Sequence, residues 1–424
     1  MVERESEAWE QWVEPKASPG AATAAAPGER TGLELPMFTL AERDRRWARV
    51  RELMRRDGID VIVAPDHTGM WDQFQANVRY LTCIGGNSCP AAAVFPLDGE
   101  VTAIPGPTHT GYWLEFQNWV SDVRPTFFDF TTVIIERLRE LGADDLRIGI
   151  SGLAGNARAP EGLITHRAYE RIREAFPNAE LVNATFLMDE ARFVKSNEEI
   201  AFMQHAVRIT ETALEVLATE AKAGVPERVV YGRMLGRMVE EGSEPTTMFL
   251  WAAGTPHPPG ILLVPTGREL QTGDFILTEI EARWAGYIGQ VTQSAVVGKA
   301  SAELTEIFEL QQEALRRCFE RLRPGARLRE FATIAEEVAA GTPYDCRVII
   351  HSRGLGDDSP VIVFGTQDAR MLDWELEENA VLTVKPQVKK ANGEKAIYWG
   401  DTVVVTKDGA RRLGTRVPEL MELG

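Results

Sequence analysis

The segment GDFILTEIEARWAGYIGQVTQS, beginning at Gly273, sets two acids into an otherwise apolar strand. Alternate residues of a strand share a face. Phe275, Leu277, Glu279 and Glu281 therefore line one side, and Ile276, Thr278 and Ile280 the other. Two carboxylates aimed at one place suggest a metal site, a general base, or a hold on a cationic substrate group. The segment ENAVLTVKPQVKKANGEKAIYWGDTVVVT offers a counter-charge, because a weak internal repeat brings Leu277-Thr278-Glu279 into register with Thr383-Val384-Lys385, within a residue. Glu279 and Lys385 then face one cleft. The pair reads either as a salt bridge supporting the fold or as a carboxylate base beside a lysine that stabilises a developing anion.

The elements that must hold this pair form a two-copy unit. Each copy has two helices followed by a hairpin. The first runs from AGVPERVVYGRMLGRMVEEG to the acid-bearing hairpin, and the second from LTEIFELQQEALRRCFERL and PGARLREFATIAEEVAAG to the lysine-bearing one. Side by side, the hairpins make one curved antiparallel sheet. Ahead of this lies an α/β pattern. LAERDRRWARVRELMRRDGI is an amphipathic helix ended by Gly58, DVIVAP a strand, AAAVFPLDGEVTAIPG a hairpin turning at Asp98-Gly99, FTTVIIERLRELGA a second helix and RIGISG another strand. Ser196 with Glu199 has the spacing of a capping box before a long helix. The expected organisation is an arm over 1–35, rich in Ala, Pro and Gly, an α/β domain over 36–190, and the repeat domain over 191–424. The fold class is α+β.

Composition narrows the function. The chain has 424 residues and a net charge of -17, which argues against nucleic acid or an anionic membrane surface as partner. No apolar run approaches a membrane span, and the acidic N-terminus lacks the order of a secretory signal. These features imply a cytoplasmic protein. Its four scattered cysteines, Cys83, Cys89, Cys318 and Cys346, read as reduced thiols, with a Cys83–Cys89 disulfide as the alternative. GLGDD lacks the spaced glycines and lysine of a phosphate loop, and KPQVKKANGEK reads as a solvated hairpin tip.

NVRYLTCIGG, RFVKSNEEIAFMQHA, GTPHPPG, the Gly273 hairpin, HSRGLGDDSP, ENAVLTVKP and GDTVVVTKDG follow one another in the order of a known family. The chain resembles the pita-bread enzymes: creatinase, prolidase, aminopeptidase P and methionine aminopeptidase. The resemblance implies a C-terminal pita-bread domain behind an N-terminal creatinase-like domain, and a homodimer formed through the first domain. In the metallopeptidases of this family, two Asp, one His and two Glu hold two divalent metals that activate a bridging water. Position by position, these ligands fall on Glu279, Gln290, His351, Lys385 and Gly400. Four of the five depart from the pattern. Gln290 is neutral, Gly400 has no side chain, and Lys385 sets an ammonium where a metal would sit. The resemblance thus implies a site without a metal pair, and no cofactor is expected.

His257, in GTPHPPG, matches the family histidine that contacts substrate and serves creatinase as acid/base, a role suited to a pKa near neutrality. The other reading is a structural loop histidine. His351 ends an apolar strand and reads equally as a buried structural histidine or a site residue. Glu281, Gln290 and Trp399 are candidate substrate contacts: Glu281 for a cationic group, Gln290 for a hydrogen bond, Trp399 as an apolar wall. Glu281 also reads as a solvated hairpin charge. The expected function is metal-independent, creatinase-like hydrolysis of a C–N bond in a small, polar, nitrogen-containing compound. The alternatives are a non-catalytic scaffold with a plugged site and an Xaa-Pro metallo-aminopeptidase.

Overall fold

A two-residue turn fixes the register of the strand that carries both acids. Trp284 pairs with Tyr287 across Ala285 and Gly286, whose φ angles are 50° and 81°. Two positive φ values match the right-handed twist of the flanking strands, and glycine meets the second without strain. The computed structural model describes residues 36–66, 73–86, 89–107, 110–153, 161–255, 257–258, 264–362, 368–390, 392 and 396–424. The arm expected over 1–35, and much of the Asn392-Gly393 hairpin tip, lie outside the described residues.

The chain packs as two units. One comprises the described residues of 36–198 with the loop 354–359, and the other residues 199–353 and 360–424. The division falls at 198/199, just inside the helix Asn197–Glu220, rather than at the expected 190/191, and one loop of the second half groups with the first unit. That loop is held by charge: Asp358 accepts from Arg192 at 2.8 Å, and the same guanidinium reaches Asp189 at 2.8 Å.

The first unit is a six-stranded mixed sheet. Its strands are β1 (Val61–Ala64), β2 (Ala91–Pro96), β3 (Thr102–Pro105), β4 (Asp122–Val123), β5 (Arg147–Ile150) and β6 (Glu180–Asn183), in the order β4-β3-β2-β1-β5-β6. The expected β2–β3 hairpin is present as an antiparallel pair. Helix α1 (Leu40–Asp57) starts where Thr39 Oγ1 accepts the Glu42 N–H at 3.2 Å, and it ends at Gly58. Helix α2 (Phe130–Glu140) lays Ile134 and Leu138 against Val94, Ile104 and Ile148 of the sheet.

The second unit realises the repeat. After α3 (Asn197–Glu220) and α4 (Glu227–Glu240) come β7 (Phe249–Gly254), β8 (Phe275–Trp284) and β9 (Tyr287–Val297). They form a sheet ordered β18-β9-β8-β7, with β18 (Met421–Leu423) on its edge. The second copy follows α5 (Ala302–Arg321) and α6 (Arg329–Ala339). It contains β10 (Tyr344–Arg347), β11 (Ile350–Ser352), β12 (Val361–Ile362), β13 (Val381–Val384), β14 (Gln387–Lys390), β15 (Ile397–Tyr398), β16 (Asp401–Thr406) and β17 (Gly409–Arg412). Strands β12-β11-β13-β16-β17 make one sheet, and β10-β14-β15 a small one.

The copies are stitched along β9. Gln290 N–H donates to Thr402 Oγ1 at 3.0 Å, Thr292 N–H to the Gly400 carbonyl at 3.1 Å, and Tyr398 N–H to Ser294 Oγ at 2.9 Å. Gln290, Thr292 and Ser294, alternate residues of β9, thus each hold a residue of the second copy. β7 was not read from the sequence. Glu199 is buried and accepts the Tyr287 hydroxyl proton, which ties the start of α3 to the acid-bearing hairpin.

Candidate active site

β8 is buried along both faces, so its acids sit in the interior: Glu279 is 5% exposed and Glu281 0%. Each has a buried cation. The Lys385 ammonium bonds Glu279 Oε1, and the Arg353 guanidinium pairs with Glu281. Both cations come from the second copy. Lys385 follows β13 and is fixed through its N–H to the Ile349 carbonyl at 3.0 Å, and Arg353 follows β11. The reading of Glu281 as a solvated hairpin charge is therefore corrected. Its strand lies between β7 and β9, and a carboxylate buried there needs a partner.

Glu279 accepts two more bonds. Gln290 Nε2 donates to Oε1 and the Tyr398 hydroxyl to Oε2 at 2.9 Å. Burial alone would push this carboxyl up. The Lys385 charge, the Lys385 and Tyr398 hydrogen bonds and nearby His351 outweigh it, so the group is held below the usual carboxylate range. Gln290 is oriented in turn by Thr383 Oγ1, 3.3 Å from its Oε1. His351, 1% exposed, lies opposite Thr383 in the β11–β13 register. Its Nδ1 lies 3.2 Å from the Ser352 carbonyl, which can only accept, so Nδ1 carries a proton there.

Glu279, Gln290, His351 and Lys385 are thus brought together, with Glu281 beside them. His257 is not joined to them by a hydrogen bond among the described residues. It lies three residues beyond the end of β7, where Gly254 pairs with Phe275. Phe275 is four residues before Glu279 on β8, about 13 Å along a strand. The His257 Nδ1 is shielded from solvent and has no hydrogen-bond partner among the described residues. Trp399 is fully buried with its ring against two guanidinium groups, Arg412 at 5.1 Å and Arg416 at 4.5 Å. Arg412 also pairs with Asp401 at 2.9 Å.

Sequence reading missed Tyr398 and Arg353. Tyr398 lies two residues before the lost ligand position, Gly400, and Arg353 two residues after His351. The signal available for Arg353 was the surplus acid, Glu281, which had no counter-charge in the sequence reading.

The family's metal pair does not fit these residues. The Glu279 oxygens are occupied by an ammonium, an amide and a phenol. A side chain at 400 has no room, since a Cβ there would lie 2.4 Å from Lys385 Cβ and 2.6 Å from the Val384 carbonyl oxygen. Among the described residues, no group of three or more His, Cys, Asp or Glu is placed to hold a metal ion.

Fold and motif order define a two-domain protein of the pita-bread class, and comparison with known proteins agrees. Residues 46–194 match the model of the creatinase/prolidase N-terminal domain, and residues 201–407 that of metallopeptidase family M24. The chain belongs to the creatinase/prolidase/aminopeptidase P family of hydrolytic enzymes. It is 27% identical to an Xaa-Pro dipeptidase of Pyrococcus furiosus over 62% of this chain and 74% of that protein. It is 22% identical to the creatinase of a Bacillus species over 90% and 92% of the two chains. Among solved structures it resembles the X-Pro aminopeptidase of Thermotoga maritima, with a TM-score of 0.71 at 20% identity, covering 89% of this chain and 99% of that one. At that identity the likeness shows the fold alone. Among the described residues, no helix is long and apolar enough to cross a membrane.

Proposed function

We propose that the protein is a metal-independent hydrolase of a C–N bond in a small, polar, nitrogen-containing compound. The observation that carries this reading is the buried Glu279–Lys385 pair standing at two of the family's ligand positions. An ammonium bonded to the carboxylate does two jobs usually given to a metal: it keeps the carboxylate ionised, and it sets a positive charge where an oxyanion would develop. In this reading Glu279 takes the proton of the attacking water, and Lys385 stabilises the negative charge. His257 returns a proton to the leaving nitrogen. Gln290 holds the Glu279 carboxylate and His351 helps keep substrate in register, and Glu281 with Arg353 supports the charged floor beside them.

The second reading is the Xaa-Pro metallopeptidase, and the names of the relatives favour it: several are Xaa-Pro dipeptidases, against one creatinase. Metal analysis of the pure full-length protein decides between them. Two tightly bound metals per chain would overturn the metal-independent reading. A screen of small C–N substrates and Xaa-Pro dipeptides, comparing wild type with His257→Ala and Glu279→Gln, tests the assigned roles. Turnover unchanged in both variants would remove them, and an absence of turnover on every substrate would favour the scaffold reading. A homodimer and a cytoplasmic location complete the proposal. Light scattering tests the first, and a monomer would contradict it.

A further inference from the structure

A carboxylate offers about four acceptor positions, two on each oxygen. On Glu279 the chain fills three of them. Lys385 Nζ and Gln290 Nε2 share Oε1, and the Tyr398 hydroxyl bonds Oε2 at 2.9 Å. The acceptor position left by these bonds is therefore on Oε2. The terminal torsion of a glutamate is soft, so the direction of that position is set by the donors on both oxygens, and Tyr398 is the one that holds Oε2. Tyr398 is itself held rigidly. Ser294 Oγ accepts its N–H at 2.9 Å and donates to its carbonyl at 3.0 Å, and its Cα pairs with Gln387 in the small sheet. Its side chain is 4% exposed.

We propose that Tyr398 is a positioning residue, whose hydroxyl turns Glu279 so that the remaining acceptor position on Oε2 points at the attacking water or a substrate N–H. This rests on the reading of Glu279 as the base. The phenol donates and takes no part in bond breaking. A purely structural tyrosine would leave the carboxylate orientation unchanged when its hydroxyl is removed.

The test uses the full-length chain as Tyr398→Phe, with Glu279→Gln as reference. A crystal structure of Tyr398→Phe without substrate is expected to show the Glu279 carboxylate rotated about its terminal bond. An unrotated carboxylate would overturn the proposal. With a compound that the wild type turns over, kcat is expected to fall about 10- to 100-fold while KM stays within about threefold. Wild-type kcat in Tyr398→Phe beside an inactive Glu279→Gln overturns the tyrosine's role and leaves the base in place. Full turnover by Glu279→Gln overturns both. Should Tyr398→Phe fail to fold, Ser294→Ala loosens the tyrosine while keeping its hydroxyl. A smaller fall in kcat at constant KM then supports the proposal, and an unchanged kcat sinks it.

Discussion

Lys385→Met is the sharpest single test of the site's electrostatics. The substitution keeps most of the side chain's volume and removes the ammonium. It leaves Glu279, 5% exposed, with the Gln290 and Tyr398 donors but without the ammonium bonded to it. Breaking a buried pair from one side costs about 3–5 kcal/mol, because the surviving charge stays desolvated. For a unit of roughly 200 residues this lowers Tm by about 6–20 °C.

The pH dependence carries the diagnosis. In the wild type, Glu279 titrates below its unfolded value, so its stabilising contribution is present above pH of about 4.3 and is lost as pH falls through the folded pKa. Without Lys385 the desolvation that raises this carboxyl dominates, and the sign inverts. The penalty is then small below about pH 4.3 and grows with pH until the raised folded pKa is passed. Urea unfolding of both proteins from pH 4 to 9 reads this directly. The double variant Lys385→Met/Glu279→Gln removes both charges and is expected to regain most of the loss, with a coupling energy above about 1.5 kcal/mol. A loss under about 1 kcal/mol at pH 8, or one that does not change with pH, would refute the reasoning.

Three further outcomes follow from the same structure. Arg353→Met leaves Glu281 buried and uncompensated and is expected to cost about 3–5 kcal/mol in chemical unfolding, with much of this restored by Glu281→Gln. Gly400→Ala places a Cβ against the Lys385 Cβ and the Val384 carbonyl and is expected to cost about 1–3 kcal/mol or more, and Gly400→Glu is expected to gain no tight metal by elemental analysis. Burial pushes the Cys83 and Cys346 thiols up to about 12 and raises Cys89 and Cys318, so a thiol reagent at pH 8 is expected to react slowly with the folded protein and with four thiols after unfolding.

The fold was legible wherever a local pattern carried it. Gly58 closes α1, Asp98-Gly99 turns the β2–β3 hairpin, and the spacing of Glu279 and Gln290 follows from a hairpin with a two-residue turn. The Glu279–Lys385 contact was legible because a repeat converts sequence register into spatial register. Arg353 and Tyr398 were not, because the contacts that define them span 72 and 119 residues and cross between copies. No local period encodes such a contact. The position of His257 was legible as a motif, but its distance from Glu279 depends on how far the chain runs past β7, which the motif does not specify.

The distribution of charge between the two copies explains why these departures belong together. The first copy supplies both acids, Glu279 and Glu281, and the second supplies both cations, Lys385 and Arg353. Four ionisable side chains in the interior sum to no net charge. With a metal pair, the bridging cations come from outside, and both copies can carry acids. In this chain Lys385 and Arg353 supply two positive charges, so an acid added at 400 would bring an unpaired negative charge to a buried site. Gly400 and Lys385 go together sterically, since a Cβ at 400 would meet the Lys385 Cβ at 2.4 Å. The glycine there lets the chain pass close against the Lys385 backbone and form the Thr292–Gly400 bridge. Each acid of the site is matched to a cation, and Glu279 accepts the Tyr398 hydroxyl besides.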